Sequence, residues 1–216
     1  MHGEKTTAPQ TKGKVIRWAR WYDLGSKLLS FGRDKAIRRK ALELAAIRPG
    51  EKVLDVGCGT GTLAIAAGDV TGATGEVHGI DPSLEMIDVA QKKAARSGRH
   101  VRFQVGIIEA LPYPDDEFDV VLSSLMLHHL PDDVKQKGFA EVLRVLKPDG
   151  RFLAVDFGSD TKSFLGHLLS VLGHARGSSN AENLAAALRD SGFGGVETGS
   201  TGIDAVWFFR GKAPGG

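Results

Sequence analysis

Three sets of residues in this 216-residue chain are spaced for chemistry. Asp55 stands two positions ahead of glycines that alternate at Gly57, Gly59 and Gly61, and the polar Thr60 and the single cysteine, Cys58, fill the gaps. Without Cβ atoms such a turn lets a ligand lie against the backbone, and the helix beyond it offers unpaired N–H groups to an anionic end. Asp55 would serve a cationic end. Asp81 follows about 20 residues later, the distance at which an acidic side chain can accept from both hydroxyls of a ribose. His128 and His129 add imidazoles, which titrate near neutrality and can take a proton. A dinucleotide fingerprint would need G-x-G-x-x-G, but the third glycine position is Thr62, which argues against a nicotinamide-dependent oxidoreductase.

These residues need elements to hold them, and the apolar periodicity supplies them. Lys52–Val56, Glu76–Ile80, Val101–Val105, Phe118–Ser123 and Arg151–Asp156 read as strands. Between them, Gly61–Val70, Ser83–Arg96 (with Ser83 as its cap) and Asp132–Leu146 read as helices, the last ended by Lys147-Pro148-Asp149-Gly150. A helix over Ala181–Ser191 and a hairpin near Gly195–Thr198 and Ala205–Arg210 complete the chain. Ahead of the first strand, Ile37, Ala41, Leu44 and Ala45 make an apolar helical stripe that Arg48-Pro49-Gly50 closes. Strand–helix alternation predicts a parallel sheet with right-handed crossovers, and the hairpin an antiparallel addition to its edge. In such a sheet ligands bind beyond the carboxyl ends of the strands, where the strand order reverses.

The glycine turn behind Asp55 resembles that of the class I S-adenosylmethionine-dependent methyltransferases. Gly79-Ile80-Asp81-Pro82-Ser83 and Met86 are similar to the family's second motif, in which the acid meets the ribose and a methionine lies near the adenine; Met86 equally suits the core. Gly106-Ile107-Ile108-Glu109-Ala110-Leu111-Pro112, then Pro114-Asp115-Asp116-Glu117-Phe118-Asp119, resembles the family run G-D-A-E-x-L-P-x-x-D-x-x-F-D. Ile107 departs from it, replacing the aspartate that accepts the adenine amino proton, so the backbone of Ile107 and Ile108, or Glu109, would have to hold the adenine edge. Ser123 and the His128-His129 loop match the end of the family's fourth strand. The resemblance covers roughly residues 45–157 and is nearest the ubiquinone/menaquinone-biosynthesis C-methyltransferases and the related phospholipid and small-molecule methyltransferases. It implies an α/β, Rossmann-like fold with a mostly parallel seven-stranded sheet, helices on both faces and an antiparallel C-terminal hairpin strand. It also implies a disordered tail over 1–13, a helical lid over 14–48 and an S-adenosylmethionine-binding domain over 49–212.

Transfer from a sulfonium is an in-line displacement, so orientation and water exclusion do most of the work. A hydroxyl or carbon acceptor must also lose a proton, for which His128 is the first candidate base and His129 the second. Tyr22 is a candidate to close over the methyl group or to hydrogen-bond the acceptor, and equally suits a plain aromatic lid residue. His167 and His174 are seven apart with no third ligand near them in sequence, so no metal site is expected. The apolar stretch they occupy and the N-terminal helices favour a small, hydrophobic or lipid-like acceptor, although the connection from Asp156 to Ala181 is shorter than in the quinone methyltransferases. Which of carbon, nitrogen or oxygen is methylated stays open, as does the oligomeric state.

The net charge is +2, but residues 11–40 hold ten Lys/Arg against Asp23 and Asp34. That basic segment on an acidic body suits either a solvated helix face or contact with anionic lipid, which would make a phospholipid N-methyltransferase docked on a membrane an alternative reading. A non-catalytic S-adenosylmethionine-binding module is the other, and Ile107 is the residue that suggests it. No nucleic-acid recognition motif accompanies the basic segment. One cysteine and a polar N-terminus without a signal-like apolar core predict a reduced, cytoplasmic protein.

Overall fold

The computed structural model describes residues 33–158 and 181–216. The expected tail, most of the expected lid with Tyr22, and the stretch carrying His167 and His174 therefore lie outside the described residues. So does most of the Asp156–Ala181 connection.

In chain order the elements are α1 (Asp34–Ala45), β1 (Lys52–Val56), α2 (Thr62–Thr71), β2 (Glu76–Asp81), α3 (Leu84–Ser97), β3 (Val101–Val105), β4 (Phe118–Ser124), a 3-10 turn (Leu127–His129), α4 (Asp132–Val145), β5 (Leu146–Phe157), α5 (Ala181–Asp190), β6 (Gly194–Ile203) and β7 (Val206–Lys212). One seven-stranded sheet runs in the order β3-β2-β1-β4-β5-β7-β6. Strands β1 to β5 are mutually parallel, and β7 lies antiparallel to both β5 and β6. The Rossmann-like sheet expected from the sequence is thus present, with the order reversing between β1 and β4.

Alternation along the strands builds two cores. On one face Leu54, Val121, Phe152, Ala154 and Phe209 pack with Phe139 and Val142 of α4 and Leu184 and Leu188 of α5. On the other, Val53, Val120, Leu122, Leu153 and Val155 pack with Ile37 and Ala41 of α1, Ala64 and Ala67 of α2, and Ile87 and Ala90 of α3. Strands β1 and β4 feed both cores because helices cover both faces, which is why Val53-Leu54 and Val120-Val121-Leu122 are apolar on consecutive positions. The α1 stripe of Ile37, Ala41 and Ala45 is buried, whereas Arg39 points outward.

Local chemistry sets the ends of these elements. Ser83 caps α3, its hydroxyl accepting from the Met86 N–H at 3.3 Å, and Gly98 closes that helix in the left-handed conformation. Helix α4 ends at Val145 and β5 begins at once, so the Lys147–Gly150 turn belongs to the start of the strand rather than to the end of the helix.

Candidate active site

Five parallel strand ends meet at one edge of the sheet, and the chemically interesting residues sit on them. The glycine turn leaves β1, Asp81 ends β2, the Gly106–Pro112 loop leaves β3, His128 follows β4, and Asp156 is next to last in β5. This is the edge at which an open parallel sheet binds ligands, and β1/β4 is its switch point.

The turn is shaped by contact as much as by freedom. Gly57 (φ +72°) and Cys58 both donate their N–H to the Ile80 carbonyl at 2.9 Å, which ties the turn to β2. A Cβ on Gly57 would come within 2.5 Å of Met126 Cγ, and one on Gly61 (φ +76°) within 2.5 Å of the Phe103 ring. Gly57 is therefore the point where the β4 loop closes on the turn. Gly61 is where α2 presses on β3 and α3. Thr60 is buried, and its hydroxyl accepts from Lys93 Nζ of α3 at 2.7 Å; Thr62 accepts from the same ammonium at 3.1 Å. Cys58 packs beneath the turn against the backbone of Gly79. Burial, with Asp55 and Asp81 nearby, pushes its thiol well above the ordinary range, so it is no nucleophile.

Asp55 is 1% exposed, and its Oδ2 has no hydrogen-bond partner among the described residues. Burial raises its pKa to about 7, only partly opposed by the Ala64 N–H, and the Asp81 charge adds to the rise. Ser123 Oγ, in register with Val56 at the end of β1, is likewise buried and unpartnered. Two orphaned acceptors beside a glycine turn are costly unless a donor arrives. The ammonium of a methionyl group is such a donor, so these residues fit S-adenosylmethionine.

Asp81 is held from two sides: Oδ2 accepts from the Gly59 N–H at 3.0 Å and Oδ1 from the Ser83 N–H at 2.9 Å. Burial raises its pKa, and those two N–H groups hold the rise back. Each oxygen keeps a second lone pair, so the carboxylate is oriented without being used up. Pro82, next in the chain, is half-buried, and Met86 is 2% exposed, packed as a core residue would be.

The Gly106–Pro112 loop is tied back by the Gly106 N–H to the Asp81 carbonyl (3.2 Å). Ile108 is buried with its side chain against Gly138 of α4, so it offers a ligand only backbone. Ile107 is half-buried, and its carbonyl accepts from the Ala110 N–H at 3.3 Å; Glu109 is also half-buried. Two residues that the sequence reading passed over fix this loop. Glu141 Oε2 accepts from the Leu111 N–H at 2.8 Å. Arg144 donates to the Leu111 and Tyr113 carbonyls (3.1 and 2.9 Å), to Asp115 and to Glu141. The signal was an acid and a base three apart on α4, facing a loop with many backbone groups to satisfy.

Beyond β4, the 3-10 turn sets His128 and His129 ring to ring, with centroids 3.8 Å apart. His128 Nδ1 lies 2.6 Å from Asp156 Oδ1, and the His128 N–H donates to Asp156 Oδ2 at 3.2 Å. Asp156, 2% exposed, also accepts from the Phe157 N–H at 2.7 Å. Sequence reading placed Asp156 only as the end of a strand; its pairing with His128 depends on β4 and β5 being neighbours.

Comparison with known proteins relates the chain to methyltransferases. Residues 53–150 match a family described as a methyltransferase domain. The chain is 36% identical over 158 residues to a ubiquinone/menaquinone biosynthesis C-methyltransferase of Hydrogenovibrio crunogenus, covering 72% of this chain and 61% of the relative. It is 38% identical over 146 residues to a demethylmenaquinone methyltransferase of Thermus thermophilus, covering 67% and 64% respectively. The chain thus spans about three fifths of the length of these relatives. A S-adenosylmethionine-dependent methyltransferase structure from Aquifex aeolicus superposes with a TM-score of 0.66 over 90% of this chain and 96% of the other, at 22% identity, which speaks for the fold.

Proposed function

From a chain that carries a methyltransferase domain of the class I S-adenosylmethionine-dependent kind, we propose a methyl-transfer enzyme acting on a small, hydrophobic or lipid-like acceptor. One observation carries the proposal: a glycine turn closed on by Met126, flanked by an oriented Asp81 and by the unpartnered Asp55 Oδ2 and Ser123 Oγ. The cofactor would supply a methyl group on a positively charged sulfur. Asp55 would meet its ammonium, the turn through Gly57, Cys58, Gly59, Thr60 and Gly61 its methionyl backbone, Asp81 its ribose hydroxyls, and the backbone of Ile107 and Ile108 its adenine edge. The names of the relatives support a quinone-like acceptor, and the apolar character of the chain's N-terminal segment supports a lid of that character. Among the described residues no helix is long and apolar enough to cross a membrane. A membrane-resident acceptor would be reached through the basic N-terminal segment.

Calorimetric titration tests this reading. S-adenosylmethionine should bind and NAD should not. Asp81→Ala should weaken the cofactor by about ten- to a hundredfold, the range for charge-assisted hydrogen bonds worth about 1.5–3 kcal/mol. Equal binding by wild type and Asp81→Ala would move the ribose elsewhere and sink the assignment of this edge.

A further inference from the structure

The His128–Asp156 contact takes no part in the cofactor contacts proposed above. Asp156 lies almost wholly inside the protein, and its two oxygens accept from the backbone N–H groups of His128 and Phe157, so both point where they are needed. A carboxylate can only accept, so a His128 Nδ1 at 2.6 Å from Oδ1 must carry the hydrogen. In the neutral ring Nε2 is then the bare nitrogen. It makes no hydrogen bond to the described residues, and the side chain keeps 22% of its surface exposed. The ring is held edge-on to Phe157 with centroids 5.0 Å apart. Two residues upstream, Met126 touches Gly57 of the glycine turn, so this base is anchored to the same junction as the cofactor edge.

We propose that Asp156 is a positioning residue that fixes His128 with Nε2 as proton acceptor, and that this base serves an acceptor whose nucleophile must first lose a proton, a hydroxyl rather than an arylamine. The inference rests on the methyl-transfer reading. In the step, His128 Nε2 takes the proton of the acceptor hydroxyl. The electron pair so freed, on oxygen or delocalised to an adjacent ring carbon, forms the new bond to the methyl carbon. The carbon–sulfur bond breaks with its electrons left on sulfur. For attack through carbon, the ring then loses its C–H proton and the hydroxyl is restored. An arylamine would need no such fixed acceptor, because its lone pair is already free at neutral pH.

The test combines a tautomer measurement with turnover. Nitrogen-15 NMR of the histidine-labelled full chain, with and without S-adenosylmethionine, should show His128 protonated at Nδ1 and bare at Nε2. Asp156→Asn removes the charge that favours the hydrogen on Nδ1, so the share of the Nε2–H tautomer should rise, while the cofactor affinity stays near wild type. If that variant fails to fold, His128→Gln serves for the rate comparison. Phenol, a long-chain alkylphenol and 1,4-naphthohydroquinone are the hydroxyl probes, with 1-naphthylamine as the amine. At least one hydroxyl probe should be methylated, with kcat falling about a hundredfold or more in either variant, KM little changed and the double variant no worse than the single ones. A wild-type Nε2–H tautomer, product from the amine alone, no product from any hydroxyl probe, or an unchanged rate in both variants would overturn the proposal. Failure of the wild type to bind S-adenosylmethionine at all would instead remove the methyl-transfer reading beneath it.

Discussion

Asp55 is a carboxyl whose surroundings differ sharply from those of the free side chain. With a folded-state pKa of about 7 against 3.8 for the free side chain, the folded protein keeps a proton between those values that the unfolded chain has released. Stability of the cofactor-free protein therefore falls as pH rises through that window and levels off above it. Asp55→Asn removes the buried charge. Its melting temperature should match wild type near pH 4 and exceed it at pH 8 by about 3 °C or more, as scanning calorimetry would read. Cofactor should reverse the order: at pH 8 S-adenosylmethionine should raise the wild-type melting temperature by more than that of the variant, because its ammonium pairs with the carboxylate. Equal pH profiles for the two proteins would show that Asp55 is better solvated than its burial implies. The same logic explains why Asp81, though also buried, is the better-oriented acid: two backbone N–H groups share its charge.

At the scale of elements, the Gly106–Asp116 loop owes its shape to α4. Arg144 bonds two of its carbonyls and the Asp115 carboxylate, and Glu141, whose pKa the arginine lowers, holds the Leu111 N–H. Arg144→Met keeps the stem but takes the guanidinium from two carbonyls and from the Asp115 and Glu141 carboxylates. We expect it to raise hydrogen exchange at Leu111 and to weaken S-adenosylmethionine about three- to tenfold, with the rest of α4 unchanged. The size follows from losing one or two net hydrogen bonds of about 0.5–1.5 kcal/mol, part of which becomes loop disorder rather than lost affinity. Unaltered exchange at Leu111 would mean that the loop is held by its own turns. Ile107 makes this loop more important, since an adenine edge without an aspartate depends on backbone groups being in place.

At the scale of the molecule, the C-terminal hairpin is part of the body of the sheet and not an ornament on its edge. Strand β7 pairs with β5 along seven residues, from Arg151↔Lys212 to Phe157↔Val206, and places a fully buried Phe209 in the core shared by α4 and α5. Phe209→Ala should cost about 3–5 kcal/mol in urea unfolding, the range for truncating a buried aromatic ring. Because β5 also carries Asp156, that loss should be accompanied by weaker definition of the His128 contact. A cost under about 1 kcal/mol would show that the C-terminal pair is dispensable to the core.

Much of this was legible from order along the chain. Strands that feed two apolar cores must be apolar on consecutive positions, a helix on one face must repeat its apolar residues every three or four positions, and a backbone that turns sharply beside a ligand must use glycine. So the β1 turn, the Ser83 cap, the parallel strands and the acidic ends Asp55 and Asp81 could be placed from local pattern alone. His128 could be singled out for the same reason, as a titratable group in a loop after a strand. Its partner could not. Asp156 lies 28 residues away and meets His128 only because β5 pairs with β4 in a particular register. Likewise the burial that lifts Asp55, the closure of Met126 on Gly57 and the grip of Arg144 on the Gly106 loop arise between segments far apart in sequence. Local pattern determines which elements form and which residues stand at their ends, because those depend on neighbours a few positions away. Which of those residues are desolvated, oriented and paired depends on neighbours in space, and only the tertiary structure decided that.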